Sequence, residues 1–198
     1  MDAVSIGILV VLGVLVISLV TIFNRLVALK NRFKNAFSQI EVQLKRRYDL
    51  IPNMVEVAKR YMQHEQDTLT KVIEARNMAS RVLQAATREP GGAGAMRKLG
   101  EAEGALAGAM GGLNFVMEQY PDLKANENMM QLSEEISSTE NKVAFARQAY
   151  NDEVMLYNTY RQSFPNNLVA AFTGHTHDAA LLEFEDSARI QEAPKVAF

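Results

Sequence analysis

The chain has 198 residues, with 21 Lys or Arg against 23 Asp or Glu and a formal net charge of −2. That balance gives no electrostatic case for nucleic-acid binding, which depends on an excess of cations over the phosphate backbone. Cysteine is absent, which fits a reducing compartment.

The first element is Ala3 to Phe23 (AVSIGILVVLGVLVISLVTIF), which carries no charge and no proline. At about 1.5 Å per residue it spans ~30 Å, the thickness of a hydrocarbon core. Fifteen of its positions are Val, Ile, Leu or Phe; at roughly −0.4 kcal/mol each they favour insertion by on the order of 6 kcal/mol. A cleaved signal peptide would begin with positive charge, have a shorter apolar core and end in small residues. Here Asp2 stands at the start and Arg25 follows with no A-x-A pattern. Residues 1–23 therefore read as a retained, single-pass transmembrane anchor. Arg25, Lys30, Arg32 and Lys34 lie just beyond it. By the positive-inside rule they place the long C-terminal part in the cytoplasm and the short N-terminus outside. The same four cations form a collar within reach of anionic headgroups, at about 1 kcal/mol per charge.

Residues 24–167 read as an antiparallel bundle of four long helices. Leu26, Leu29, Phe33, Phe37, Ile40 and Leu44 recur in steps of three and four, so one helix is expected to run from the bilayer to about Tyr48. Asp49-Leu50-Ile51-Pro52 is expected to turn the chain, with proline in the first turn of a second helix ending near Arg88. Glu89-Pro-Gly-Gly-Ala-Gly94 is a connector. A third helix carries Met96 to Met117 and stops at Tyr120-Pro121-Asp122; a fourth carries Met129 to Phe164 and stops at Pro165-Asn166-Asn167. The fold class is all-α, with the transmembrane helix continuous with the bundle and a coiled-coil-like period near 3.5. The second helix, at ~55 Å, overshoots the ~38 Å available back to the bilayer. The bundle is thus expected to tilt, bend, or bring the glycine loop (89–95) and the end of helix four to the lipid.

Four features could carry function. Lys45-Arg46-Arg47 would sit ~33 Å beyond the bilayer, too far for lipid given a Debye length of ~8 Å. It is expected to pair with acids such as Glu118 or Asp122, or to face solvent. Gly100, Gly104, Gly108 and Gly112 recur every four residues, at ~1 kcal/mol each in lost helix stability. They read as a smooth ridge for tight packing inside the bundle, as a groove for a neighbouring subunit or partner helix, or as a soft stretch that lets the helix bend. His175 and His177 beside Asp178 are weak metal candidates, since zinc needs three or four ligands and the remaining histidine, His64, is distant. The tail, 168–198, mixes apolar residues with Asp178, Glu183, Glu185, Asp186 and Glu192. It would pack on its own bundle, stay disordered, or pair with the basic collar of the same or a neighbouring chain. With no Gly-x-Ser-x-Gly, Walker loop or H-E-x-x-H, neither an enzyme nor a cofactor is expected.

Gln39-Ile-Glu-Val-Gln-Leu-Lys-Arg-Arg-Tyr-Asp-Leu-Ile-Pro-Asn53, Tyr120 to Asn128 (YPDLKANEN), Asn151 to Asn158 (NDEVMLYN), Phe164-Pro-Asn-Asn167 and Ala193 to Phe198 (APKVAF) resemble the LemA family of bacterial membrane proteins. The resemblance implies a membrane-anchored helical bundle in the bacterial inner membrane and transfers no catalytic residue. It also implies, by association alone, a partner among membrane metalloproteases of the HtpX type. The resulting expectation is a non-catalytic membrane scaffold that self-associates or recruits membrane proteins. The alternatives are a regulatory adaptor of a membrane metalloprotease and, third, a metal-binding sensor or enzyme.

Overall fold

The computed structural model describes residues 2–184. Among these, every regular element is helical: α1 (Ala3–Lys59), α2 (Gln66–Arg88), α3 (Ala93–Met117), the single turn α4 (Pro121–Lys124), α5 (Glu127–Gln162) and α6 (Asn166–Phe172). The expected all-α fold with a long apolar N-terminal helix is the one observed.

The apolar part of α1 stands clear of the rest of the molecule, and residues 3–20 are all exposed. Within it the Thr21 hydroxyl donates to the Ile17 carbonyl at 2.8 Å, the kind of local satisfaction that a spanning helix needs. Burial begins at Leu26 and continues at Leu29, Phe33, Phe37, Ile40 and Leu44, the stripe that the periodicity predicts. The Arg47, Tyr48, Ile51, Met54, Val55 and Ala58 side chains extend it to the helix end.

The expected turn at residues 49–52 is not there. Pro52 lies inside α1, which runs on to Lys59. An interior proline removes one helix hydrogen bond, leaving the carbonyl four residues earlier without its donor. That carbonyl belongs to Tyr48, and Arg76 Nε on α2 donates to it at 2.8 Å. The chain reverses instead over residues 60–65, around a fully buried Met62. This relocation removes the overshoot. The body portion of α1, residues 24–59, matches the 36-residue α5 at ~54 Å, while α2, with 23 residues, spans only ~35 Å.

α1 is the central element, packed along α5 on one side and against α2 on the other, with α3 on α2. The order of contacts makes α1 and α5 antiparallel: Phe33 meets Tyr157, Phe37 meets Tyr150, and Arg47 faces Glu140. At the distal end, Asn126 caps α5 by accepting from the Met129 N–H at 3.1 Å and also donates to the Tyr61 hydroxyl. At the proximal end, next to the apolar stretch, Gly91 in the α2–α3 connector lies against Phe33 with φ of +88°. That angle is in the region only glycine enters without strain.

Candidate functional site

Two polar constructions organise the body. The first is a buried cluster in its middle. Arg47 donates to Glu103 Oε2 and Tyr48 to Glu103 Oε1, with Glu140 at 4.0 Å from the same guanidinium. Glu103 is 3% exposed. Burial pushes its carboxyl pKa upward, against the opposing pull of Arg47 and the Tyr48 hydrogen bond. Burial also raises the Tyr48 phenol, helped by the neighbouring Glu103 charge. Of the expected basic patch, then, Arg47 turns inward and Lys45 pairs with Glu41, while Arg46 is exposed. The acids that meet Arg47 are Glu103 and Glu140 rather than Glu118 or Asp122. The reason is the longer α1, which puts Arg47 midway along the body instead of at its end.

The second is a clasp that holds the segment after α6. Residues 179–184 run extended along α5. Asn158 donates from Nδ2 to the Ala179 carbonyl and accepts the Ala179 N–H, both at 2.9 Å. Asn151 makes the same pair of bonds with Leu182, at 3.2 and 2.9 Å. Seven helix residues rise ~10.5 Å, and three extended residues cover ~10 Å, so the two registers agree. The Tyr150 hydroxyl donates to Ala180 O, and the Ala180 N–H donates to Gly91 O, each at 2.8 Å. Leu182 is fully buried, and Phe184 lies under the Arg147 guanidinium at 4.5 Å. This strap bridges α5 and α3, because the Glu183 carbonyl rests on Gly100, where any Cβ would overlap it.

The glycine series therefore divides. Gly100 is buried beneath the strap, Gly104 is half-buried, and Gly108 and Gly112 are exposed with open space around a Cβ position. Through residue 184 the tail packs on its own body. Glu185, Asp186 and Glu192 lie outside the described residues.

His175 and His177 separate. His175 is 5% exposed, hydrogen-bonded through Nδ1 to the Tyr157 hydroxyl at 3.1 Å, and set edge-on to Phe23. Burial, then the nearby Lys30 charge, lowers its pKa from 6.5. His177 is exposed beside Thr176. Asp178 is taken by Arg161 and Gln162, and hydrogen bonds from these two hold its carboxyl below the usual range although burial opposes them. Among the described residues, no group of three His, Cys, Asp or Glu is placed to hold a metal ion.

All four collar cations lie at the proximal end of the body. Arg25 and Arg32 are exposed, and Arg32 approaches Glu153 at 3.5 Å. Lys30 and Lys34 line an open cleft of about 680 Å³ with Arg88, Glu89, His175 and Asp178. The tail acid Asp178 thus shares a cleft with the collar, while its ion pair is with Arg161.

A long helical body continuous with an apolar helix able to cross a membrane by length and composition defines a class of membrane-associated helical proteins. The LemA family profile matches residues 36–198, and the chain belongs to the LemA family. It is 31% identical over 147 residues to Protein LemA of Metamycoplasma hominis, covering 74% of this chain and 63% of that protein. It is also 25% identical over 169 residues to magnetosome protein MamQ 2 of Paramagnetospirillum magneticum, covering 77% and 61%. The MamQ protein of Magnetospirillum gryphiswaldense matches at 24% over 185 residues, covering 82% and 68%. The chain thus spans a little over three-fifths of the length of the first two relatives.

Proposed function

We propose that this protein is a non-catalytic scaffold, anchored by residues 3–23 as a single pass through the bacterial inner membrane. In this reading the N-terminus is outside and the helical body inside. The carrying observation is the unbroken helix: α1 passes from fully exposed apolar residues to the buried stripe at Leu26 with no joint between. A rigid stem of this kind holds copies of the body at one height above a shared plane, which favours lateral assembly. The outward part of α3 supports self-association. There Gly108, Gly111 and Gly112 are open and Phe115 is 68% exposed, so another backbone could approach closely. The names of the relatives carry no reaction.

The test is extraction of the full chain in mild detergent followed by native mass spectrometry. A discrete homo-oligomer lost on Gly108→Leu, with helix content unchanged, supports assembly through α3. A monomer at every concentration, with no co-purifying membrane protein, overturns the scaffold reading.

A further inference from the structure

From Gln162 to His177 the chain contains no Asp, Glu, Lys or Arg. Within this uncharged stretch α6 turns two faces in opposite directions. Asn166, Val169 and Ala170 are buried against the body, where α6 packs on both α1 and α5. Leu168 and Phe172, four residues apart and so on one helical face, are 54% and 91% exposed, and Phe164 just before the helix is 80% exposed. Two large aromatic rings and a leucine are thus held outward by a rigid base. The Asn166 side chain donates to Tyr160 O, and the His175 N–H to Ala170 O, both at 3.0 Å.

The height of this face identifies its occupant. The His175 ring, tied to the end of α6, stacks edge-on against Phe23, with centroids 6.3 Å apart. Phe23 is the last residue of the apolar run, and Leu26 is the first buried one. Hence α6 sits at the level where α1 changes from lipid-compatible to body-packing, flanked on α1 by Arg25 and Lys30. An uncharged amphipathic turn at that height, continuous with an apolar span, matches the boundary between headgroups and acyl chains.

We infer that α6 is an interfacial membrane contact, in which Phe164, Leu168 and Phe172 enter the same leaflet from which α1 emerges. This rests on the membrane-anchor reading and adds to it a second point of attachment. A lone helix leaves the tilt of the body relative to the membrane unset, whereas α6 fixes which side of the body lies against the bilayer.

The chain has no tryptophan, so Phe172→Trp and Phe115→Trp each create a single fluorescent probe at an exposed site. Phe115 lies near the distal end of α3 and serves as the control. The full-length variants are reconstituted into phosphatidylcholine–phosphatidylglycerol vesicles carrying bromine at shallow or deep acyl positions. The expected result is blue-shifted emission from Phe172→Trp, quenched more by shallow than by deep bromines, as a helix lying about 5–10 Å into the boundary requires. Phe115→Trp should remain unquenched. Water-like emission at 172, equal quenching at both sites, or a blue shift without bromine quenching (a protein surface in place of lipid) would each overturn the inference. Flotation of the same vesicles separates the two readings. Failure of the protein to float removes the membrane anchor itself, whereas flotation without quenching removes only the interfacial helix.

Discussion

Arg76 caps the Tyr48 carbonyl, at 2.8 Å, where Pro52 supplies no N–H. A side chain from α2 thus replaces the backbone donor that proline removes from α1, and the same guanidinium approaches Asp49 at 3.5 Å. Such a substitution of donors couples the two residues. Arg76→Met leaves a half-enclosed carbonyl unsatisfied and is expected to cost about 1–3 kcal/mol. In a Pro52→Ala background the helix supplies its own N–H, so the cost should shrink. A double-mutant cycle by denaturant unfolding checks this; strictly additive effects would refute the coupling.

The glycines at 100 and 108 are predicted to respond with opposite signs. Gly108→Ala meets open space and should stabilise α3 by up to ~1 kcal/mol. Gly100→Ala gains the same propensity but drives a Cβ into the Glu183 carbonyl; the strap must shift, at a typical overpacking cost of about 1–3 kcal/mol. Thermal unfolding of the two variants reads the sign. Limited proteolysis should show residues 175–184 newly cleavable only in the Gly100 variant.

Asn151 and Asn158 each satisfy both the N–H and the carbonyl of one strap residue. Alanine at either position removes two hydrogen bonds and is expected to cost about 1–3 kcal/mol. Hydrogen exchange should localise the loss, with faster exchange at Leu182 for Asn151→Ala and at Ala179 for Asn158→Ala. Unchanged protection at both amides would count against the clasp.

Acidification should loosen the proximal end before the rest. The folded pKa of His175 lies below its ordinary 6.5, so the unfolded chain takes up its proton first. Stability contributed here is complete above pH 6.5 and is lost as pH falls through that value toward the lowered folded pKa. Lys30 is the charge that disfavours protonation, while the ring itself faces Tyr157 and Phe23. Asp178, with its pKa lowered from 3.8, loses its contribution only below that value. Exchange protection of the strap amides should therefore drop between pH 7 and 5, and His175→Gln should flatten that dependence.

Removing the Glu103 carboxylate by Glu103→Leu would leave Arg47 charged and enclosed, at about 3–5 kcal/mol. Replacing both, as Arg47→Met with Glu103→Leu, should recover much of that loss. Chemical denaturation of the single and double variants provides the comparison.

The apolar stripe from Leu26 to Leu44 was legible because it depends only on periodicity along one helix. The ends of α3 and α5 were legible because Gly91-Gly92, Pro121 and Pro165 mark them. The distal turn was not: residues 60–65 contain neither glycine nor proline, while Asp49-Leu50-Ile51-Pro52 looks like a stop signal. What keeps Pro52 helical is Arg76, 24 positions away from it, a partner that local propensity does not reveal. The strap left a fainter trace. Asn151 and Asn158 are seven apart on a helix and return to the same face, polar positions along an otherwise apolar seam. That spacing could have pointed to a bound extended segment. The division of the glycine series required knowing where the strap crosses α3.

The strap follows α1 to α6 in the order of synthesis, although it bridges α3 and α5. Residues 3–23 leave the ribosome before the body does, and their length and composition suit a bilayer while the body is still being made. The groove over Gly100 therefore stays uncovered until residues 179–184 have been made. A chain cut before residue 179 would lack the segment that covers Gly100 and bonds to Asn151 and Asn158, leaving the seam between α3 and α5 open.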